Sequence, residues 1–188
     1  MKKTLSLTNR AGIYNTVFRR YPGSTLAITD SKFISGVWLL GNNYKGSGFY
    51  GSYPPQYVKR VMALFPDAHQ VMHLFSGSLP PESYVRVDSR NHGEIWPEII
   101  GDAHQLAKLC KGRKFDLIMA DPPYSAEYAE NLYGTGSAYP RPGQIAREAS
   151  RLLRPGGRFG LLHFQVPMFK APLSLVGVWG VTTGTGFA

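Results

Sequence analysis

Asp121-Pro122-Pro123-Tyr124 combines residue types that a simple turn does not need. The two prolines fix φ, remove two backbone donors and hold Asp121 extended. A strand ending there stops in a rigid hook that presents a carboxylate and the Pro122 carbonyl, both acceptors. Tyr124 sets a flat ring beside them. Two acceptors and a stacking face suit a planar ring that carries an exocyclic amino group. Other strand ends add further polar groups: Phe75-Ser76-Gly77-Ser78 is a glycine turn, while Asp88 and Asp102-Ala103 each put an acid after an apolar run. In open parallel sheets ligands bind at the carboxyl ends of the strands, so groups of this kind on one rim define a candidate site.

The elements that must position these groups follow from hydrophobic patterning. After Pro54-Pro55, residues Tyr57, Val61, Met62, Leu64 and Phe65 form a helical stripe. Short buried strands are predicted at 71–75, 84–87, 98–100, 115–120 and 159–164. Helices are predicted at 104–109 and from Ile145 to Leu153, the latter broken by Pro155-Gly156-Gly157. Leu26 to Thr29 and Gly36 to Leu40 look strand-like, Gly46 to Ser52 reads as a connector, and 173–182 reads as two short strands. The pattern predicts an α/β domain: one open, mostly parallel sheet with helices on both faces. Only Ser76 to Ser83 join the first two strands, too few for the usual crossover helix, so that helix is expected to be shortened or missing.

A chain of 188 residues, 43% hydrophobic, is long enough to bury a core, and its patterning excludes a disordered tail. Lys and Arg outnumber Asp and Glu by 21 to 12. The resulting +9, with Arg10, Arg60, Arg141 and Arg147 among its sources, points to a polyanionic partner such as nucleic acid. Cys110 is the single cysteine, which rules out an internal disulfide and a cysteine-rich zinc site. No apolar run reaches the roughly 18 residues of a membrane span, and no secretory leader follows Met1. The expectation is a cytoplasmic protein that does not engage membranes.

On these residues the chain resembles the S-adenosylmethionine-dependent amino-methyltransferases, in particular the adenine-N6 DNA methyltransferases. Asp121-Pro122-Pro123-Tyr124 matches the family's catalytic motif, Phe75-Ser76-Gly77 is similar to its cofactor loop, and Leu153-Arg154-Pro155-Gly156-Gly157 is similar to a segment common in the fold. The resemblance runs from about Pro54 to Phe164. It implies a Rossmann-like class I methyltransferase fold, a single domain over residues 1–188 with 1–50 as an extension and 51–188 as catalytic core.

It further implies that Asp121, Pro122, Pro123 and Tyr124 are catalytic, without a metal. S-adenosylmethionine would be held by Phe75, Ser76, Gly77, Ser78, Asp88, Asp102 and Ala103, with Tyr53 and Pro54 at its methionine end. The acceptor would be the exocyclic amine of a nucleic-acid base, adenine N6 in DNA before RNA, because Asp heads the motif and the chain is basic. An RNA base methyltransferase and a non-catalytic nucleic-acid-binding subunit of the same fold are the alternatives. Two positions depart from the family: His73 stands where an acid is usual, and Leu79 where a second glycine is usual. No segment suffices for a separate target-recognition domain, so the first fifty residues, the Ser125 to Arg141 loop, a partner subunit or a homodimer would supply recognition.

Overall fold

The structure is a computed structural model that describes residues 5–19, 25–30, 32–41, 53–134 and 139–183. Its elements divide into two units: one holds the described residues up to 41, then 53–68 and 174–183, and the other holds residues 69–173.

The first unit begins with helix α1 (Leu7–Phe18), capped by Ser6, whose side chain accepts from the Asn9 amide. Leu7, Ala11, Tyr14 and Phe18 recur at helical spacing and are buried. Strands β1 (Thr25–Asp30), β2 (Phe33–Leu39) and β8 (Gly177–Thr182) form a three-stranded sheet in the order β1-β2-β8. Helix α2 (Tyr57–Leu64) packs on α1. The core of this unit is aromatic: Trp38 lies 6.1 Å from Tyr14, 5.7 Å from Trp179 and 5.8 Å from Tyr57, centroid to centroid. Arg10 is buried here, with paired bonds of 2.6 and 2.8 Å to Asp67 and one of 3.1 Å to the Leu64 carbonyl. Arg60, also buried, donates to the Tyr14 hydroxyl at 2.6 Å. Neither arginine therefore contributes to a basic surface.

The second unit is a five-stranded sheet in the order β5-β4-β3-β6-β7, parallel throughout: β3 (Val71–Leu74), β4 (Val85–Asp88), β5 (Ile99–Ile100), β6 (Phe115–Ala120) and β7 (Leu153–Leu161). A 3-10 turn (Ala103–Gln105) leads into the short helix α3 (Leu106–Leu109); α4 (Ala126–Tyr133) and α5 (Pro142–Leu152) lie between β6 and β7. Met72, Leu74, Val87, Ile118 and Ala120 face a core completed by Leu106 and Cys110 near α3 and by Ile145, Ala149 and Leu152 of α5. This is an α/β architecture, a parallel sheet flanked by helices, compatible with a Rossmann-like fold.

No helix occurs between β3 and β4. The buried Arg86 of β4 organises that connection instead. Its guanidinium donates to the Leu79 carbonyl at 2.8 Å, to the Trp96 carbonyl at 2.7 Å and to the Glu98 carboxylate at 2.7 Å. One side chain thus ties the loop before β4 to the loop after it.

Three details differ from the sequence expectation. Two sheets form rather than one, because 173–182 gives a single strand, β8, which pairs with β2. Helices α1 and α4 stand where no helix was expected. β7 starts at Leu153, with Pro155-Gly156-Gly157 looped out inside it: its register against β6 jumps from Phe115↔Leu153 to Leu117↔Arg158. At Gly157 a Cβ would meet the Arg154 carbonyl at 2.9 Å and the Phe115 carbonyl at 3.1 Å, so this bulge requires glycine. The expected connector at Gly46 to Ser52 lies outside the described residues.

Candidate active site

The chain leaves β3 towards β4 and β5 on one side, then returns to place β6 on β3's other flank. That reversal makes the β3/β6 pair the switch point, the position at whose carboxyl ends open parallel sheets bind ligands. Leu74 pairs with Ala120, so the next residues, Phe75 and Asp121, leave the sheet side by side.

Beyond β3 the backbone turns sharply. Phe75 has φ 59° and Gly77 has φ 51°, both left-handed. For a bulky residue such as Phe75 that conformation is strained and persists only when its surroundings enforce it. Part of the enforcement is visible: the Ser76 amide donates to the Val87 carbonyl at 3.2 Å, and the Gly77 amide to Asp88 Oδ2 at 2.9 Å. Ser78 follows, half-buried. Asp88 itself is nearly enclosed. Its Oδ1 accepts from the Ser89 amide at 2.7 Å, the Ser89 hydroxyl lies at 3.4 Å, and His92 Nε2 stands 3.3 Å from Oδ2.

Asp102 and Ala103 follow β5, which pairs with the end of β4 through Asp88 and Ile100. Asp102 caps the 3-10 turn, accepting from the His104 amide at 2.8 Å and pairing with His104 Nδ1 at 2.8 Å. These bonds lower its pKa, against the opposing effect of burial, which is the largest single influence. Ala103 is buried in the core.

At the end of β6, Pro122 is buried and Asp121 is partly enclosed. Burial drives the Asp121 carboxyl up to about 7, and a hydrogen bond from the Tyr124 side chain opposes that rise. Tyr124 is pushed up, first by burial and then by the Asp121 charge. Among the described residues no backbone amide donates to the Pro122 carbonyl. The hook is braced from outside, since the Tyr139 hydroxyl donates to the Tyr124 carbonyl at 3.2 Å.

Residues that the sequence reading did not nominate complete the surroundings. The Tyr124 ring meets His163 edge-on at 5.5 Å, Phe164 edge-on at 6.0 Å and Tyr128 at 6.3 Å. Tyr124, Tyr128 and Phe164 remain exposed, which leaves an open aromatic rim beside the Asp121 carboxyl. Tyr133, at the end of α4, is raised by burial and then by Asp121 and Asp88, so both carboxylates act on one phenol. Arg90 lies over the Tyr133 ring at 5.4 Å. The signal for α4 was in the sequence: Ser125 is an N-cap and Gly134, at φ 64°, closes the helix.

The structure therefore gathers Phe75 to Ser78, Asp88, Asp121 and Tyr124 at the carboxyl ends of adjacent strands, with Asp102 and Ala103 one strand further out. Tyr53 and Pro54 belong to the other unit. There Tyr53 stacks on Tyr57 at 5.3 Å, and the Pro54 carbonyl accepts from the Tyr57 amide, the contacts of a helix start. His73 is fully buried against Tyr84, and burial lowers its pKa to about 4, so it is neutral at physiological pH. No helix of the described residues is long and apolar enough to cross a membrane.

The geometry defines an α/β domain with an acidic and aromatic site at its switch point. Comparison with protein-family models, curated proteins and solved structures gave no match.

Proposed function

We propose that this protein transfers a methyl group from S-adenosylmethionine to the exocyclic amine of a nucleic-acid base, adenine N6 in DNA. The observation that carries the reading is the Asp121 carboxyl, set beside the exposed Tyr124 ring at the switch point and next to a glycine turn tethered to Asp88. The donor's shape suits the residues present. The left-handed Phe75 and Gly77 fold the backbone tightly enough to approach a methionine moiety, and Asp88 stands where a ribose diol would be read. Its two longest contacts, to His92 and the Ser89 hydroxyl, are those a diol would replace.

When bound, S-adenosylmethionine supplies an electrophilic sulfonium methyl. The chain supplies the rest. Asp121 and the Pro122 carbonyl accept from the two N–H groups of the amine and favour a pyramidal nitrogen, whose lone pair attacks the methyl carbon in line. Transfer would break the donor's C–S bond as the N–C bond forms, and Asp121 would take the surplus amine proton. A carboxyl that titrates near neutrality is suited to that task. Tyr124 stacks on a base that has left the duplex, and Phe164 and Tyr128 extend the apolar rim. Holding the partners at near-attack distance contributes much of the acceleration.

A non-catalytic nucleic-acid-binding subunit is the second reading, favoured by the four contacts Asp88 already makes. Calorimetric titration with S-adenosylmethionine, followed by labelled-methyl transfer to an adenine-containing duplex, separates the two. Cofactor binding with transfer that Asp121→Ala abolishes supports the enzyme. Absence of cofactor binding overturns it.

A further inference from the structure

The opposite end of the same sheet carries a surface the proposed reaction does not use. Residues 108–114 place Lys108, Lys111, Arg113 and Lys114 within seven positions, all exposed. Lys111 and Gly112 are both left-handed, at φ 47° and 80°, and this tight turn delivers Arg113 and Lys114 to the start of β6. Lys114 Nζ donates to the Arg151 carbonyl at 2.5 Å, which joins this segment to the end of α5. Phe115 pairs with Leu153, so Arg154 stands alongside.

Acids here are few and occupied. Asp116 pairs with Arg154 at 2.9 Å, and its other oxygen accepts from the His69 and Gln70 amides. The largely buried Glu148 pairs with Arg151 at 2.7 Å. Among the described residues Lys108, Lys111 and Arg113 form no ion pair. Helix C-termini attract cations, which accounts for Lys108 and Arg151. It does not account for Arg113 and Lys114, which lie past the helix.

We infer that this cluster is an anchor for the phosphate chain of a nucleic-acid duplex, remote from the methyl-transfer rim. β6 separates the two ends by its six residues, about 20 Å of extended chain. A duplex spans that length in roughly six base pairs, so one substrate can engage both ends. The shared substrate rests on the proposed function; the binding of phosphates by these cations does not.

The test is fluorescence anisotropy with duplex DNA and duplex RNA of about two helical turns, over a salt series and without cofactor. Three proteins are compared: the parent, Lys108→Glu/Lys111→Glu/Arg113→Glu, and a control of equal charge change, Arg19→Glu/Lys59→Glu/Lys170→Glu. The patch variant should lose more than about tenfold in affinity at low salt, and its plot of log affinity against log salt should be shallower by about 3, near 0.9 per lost phosphate contact. Loss on both duplexes assigns the patch to the backbone they share, and loss on one assigns it to that duplex's form. If the glutamate variant is misfolded by circular dichroism, the glutamine triple replaces it. Equal slopes in the patch variant and the control overturn the inference. Because the readout needs no cofactor, an inactive protein with a patch-dependent slope would refute methyl transfer alone.

Discussion

The Gly77 amide lies 2.9 Å from Asp88 Oδ2, so the turn that closes β3 is held by the acid that closes β4. On the proposed function, the ribose contact and the shape of the loop depend on one carboxylate. Asp88→Ala should weaken S-adenosylmethionine binding by about 1.5–3 kcal/mol, the range for a hydrogen bond to a charged group. Asp88→Asn, which can still accept from Gly77, should preserve the turn and lose less. Calorimetric titration of both variants checks this, and parental affinity in Asp88→Ala would show that the ribose is read elsewhere.

Asp121 gives a pH signature of known sign. Burial raises its folded pKa from the ordinary 3.8 to about 7. The protonated carboxyl thus stabilises the fold in full below the unfolded value, and that contribution is lost as pH rises through about 7. Asp121→Asn, always neutral, should gain in melting temperature over the parent as pH goes from about 5 to about 8. Methyl transfer by the parent should rise across the same window as the carboxylate forms. Melting curves whose difference does not change with pH would contradict the assignment.

Tyr124 has two separable parts. On the proposed function its exposed ring stacks on the base, so Tyr124→Ala should weaken substrate capture by about 1–3 kcal/mol. Its hydroxyl holds the Asp121 carboxyl down. Tyr124→Phe should keep the stacking and move the midpoint of the pH–rate profile upward. A midpoint unchanged in Tyr124→Phe would argue against the hydrogen bond.

Arg86→Met should unfold the protein more readily, by about 2–4 kcal/mol. The substitution leaves the Leu79 and Trp96 carbonyls without their donor and removes the partner of Glu98. Glu98 is partly exposed, which keeps the cost below that of a fully buried pair. Chemical denaturation measures it, and a change under about 0.5 kcal/mol would mean that the two loops hold without the clamp.

The parallel sheet was legible because its strands are short apolar runs that each end in a polar or glycine signal, as at Asp88 and Asp121. The missing crossover helix was legible from loop length alone. Helix α1 was not, since Thr8, Asn9, Gly12, Asn15 and Thr16 are poor helix formers and burial of Leu7, Ala11, Tyr14 and Phe18 overrides them. β8 could not be assigned to its sheet, because its partner β2 lies about 140 positions away. Arg86 left no local mark: a charged residue in a strand reads as solvent-facing until its carbonyl partners are known. The same holds for His163 and Phe164, which reach Tyr124 only through the placement of β7 beside β6.

Because β2 pairs with β8 while residues 69–173 build the other unit, one unit is threaded through the middle of the other's chain. On the ribosome this sets an order of events. The five-stranded sheet has all its strands once β7 has emerged, whereas the aromatic unit lacks an edge strand, and the Trp179 that stacks on Trp38, until β8 is made. Until then β2 offers an unpaired edge for the whole time that about 140 residues are synthesised, about 7–28 seconds at roughly 5–20 residues per second. The nested chain path thus makes β2 the segment that a chaperone would guard.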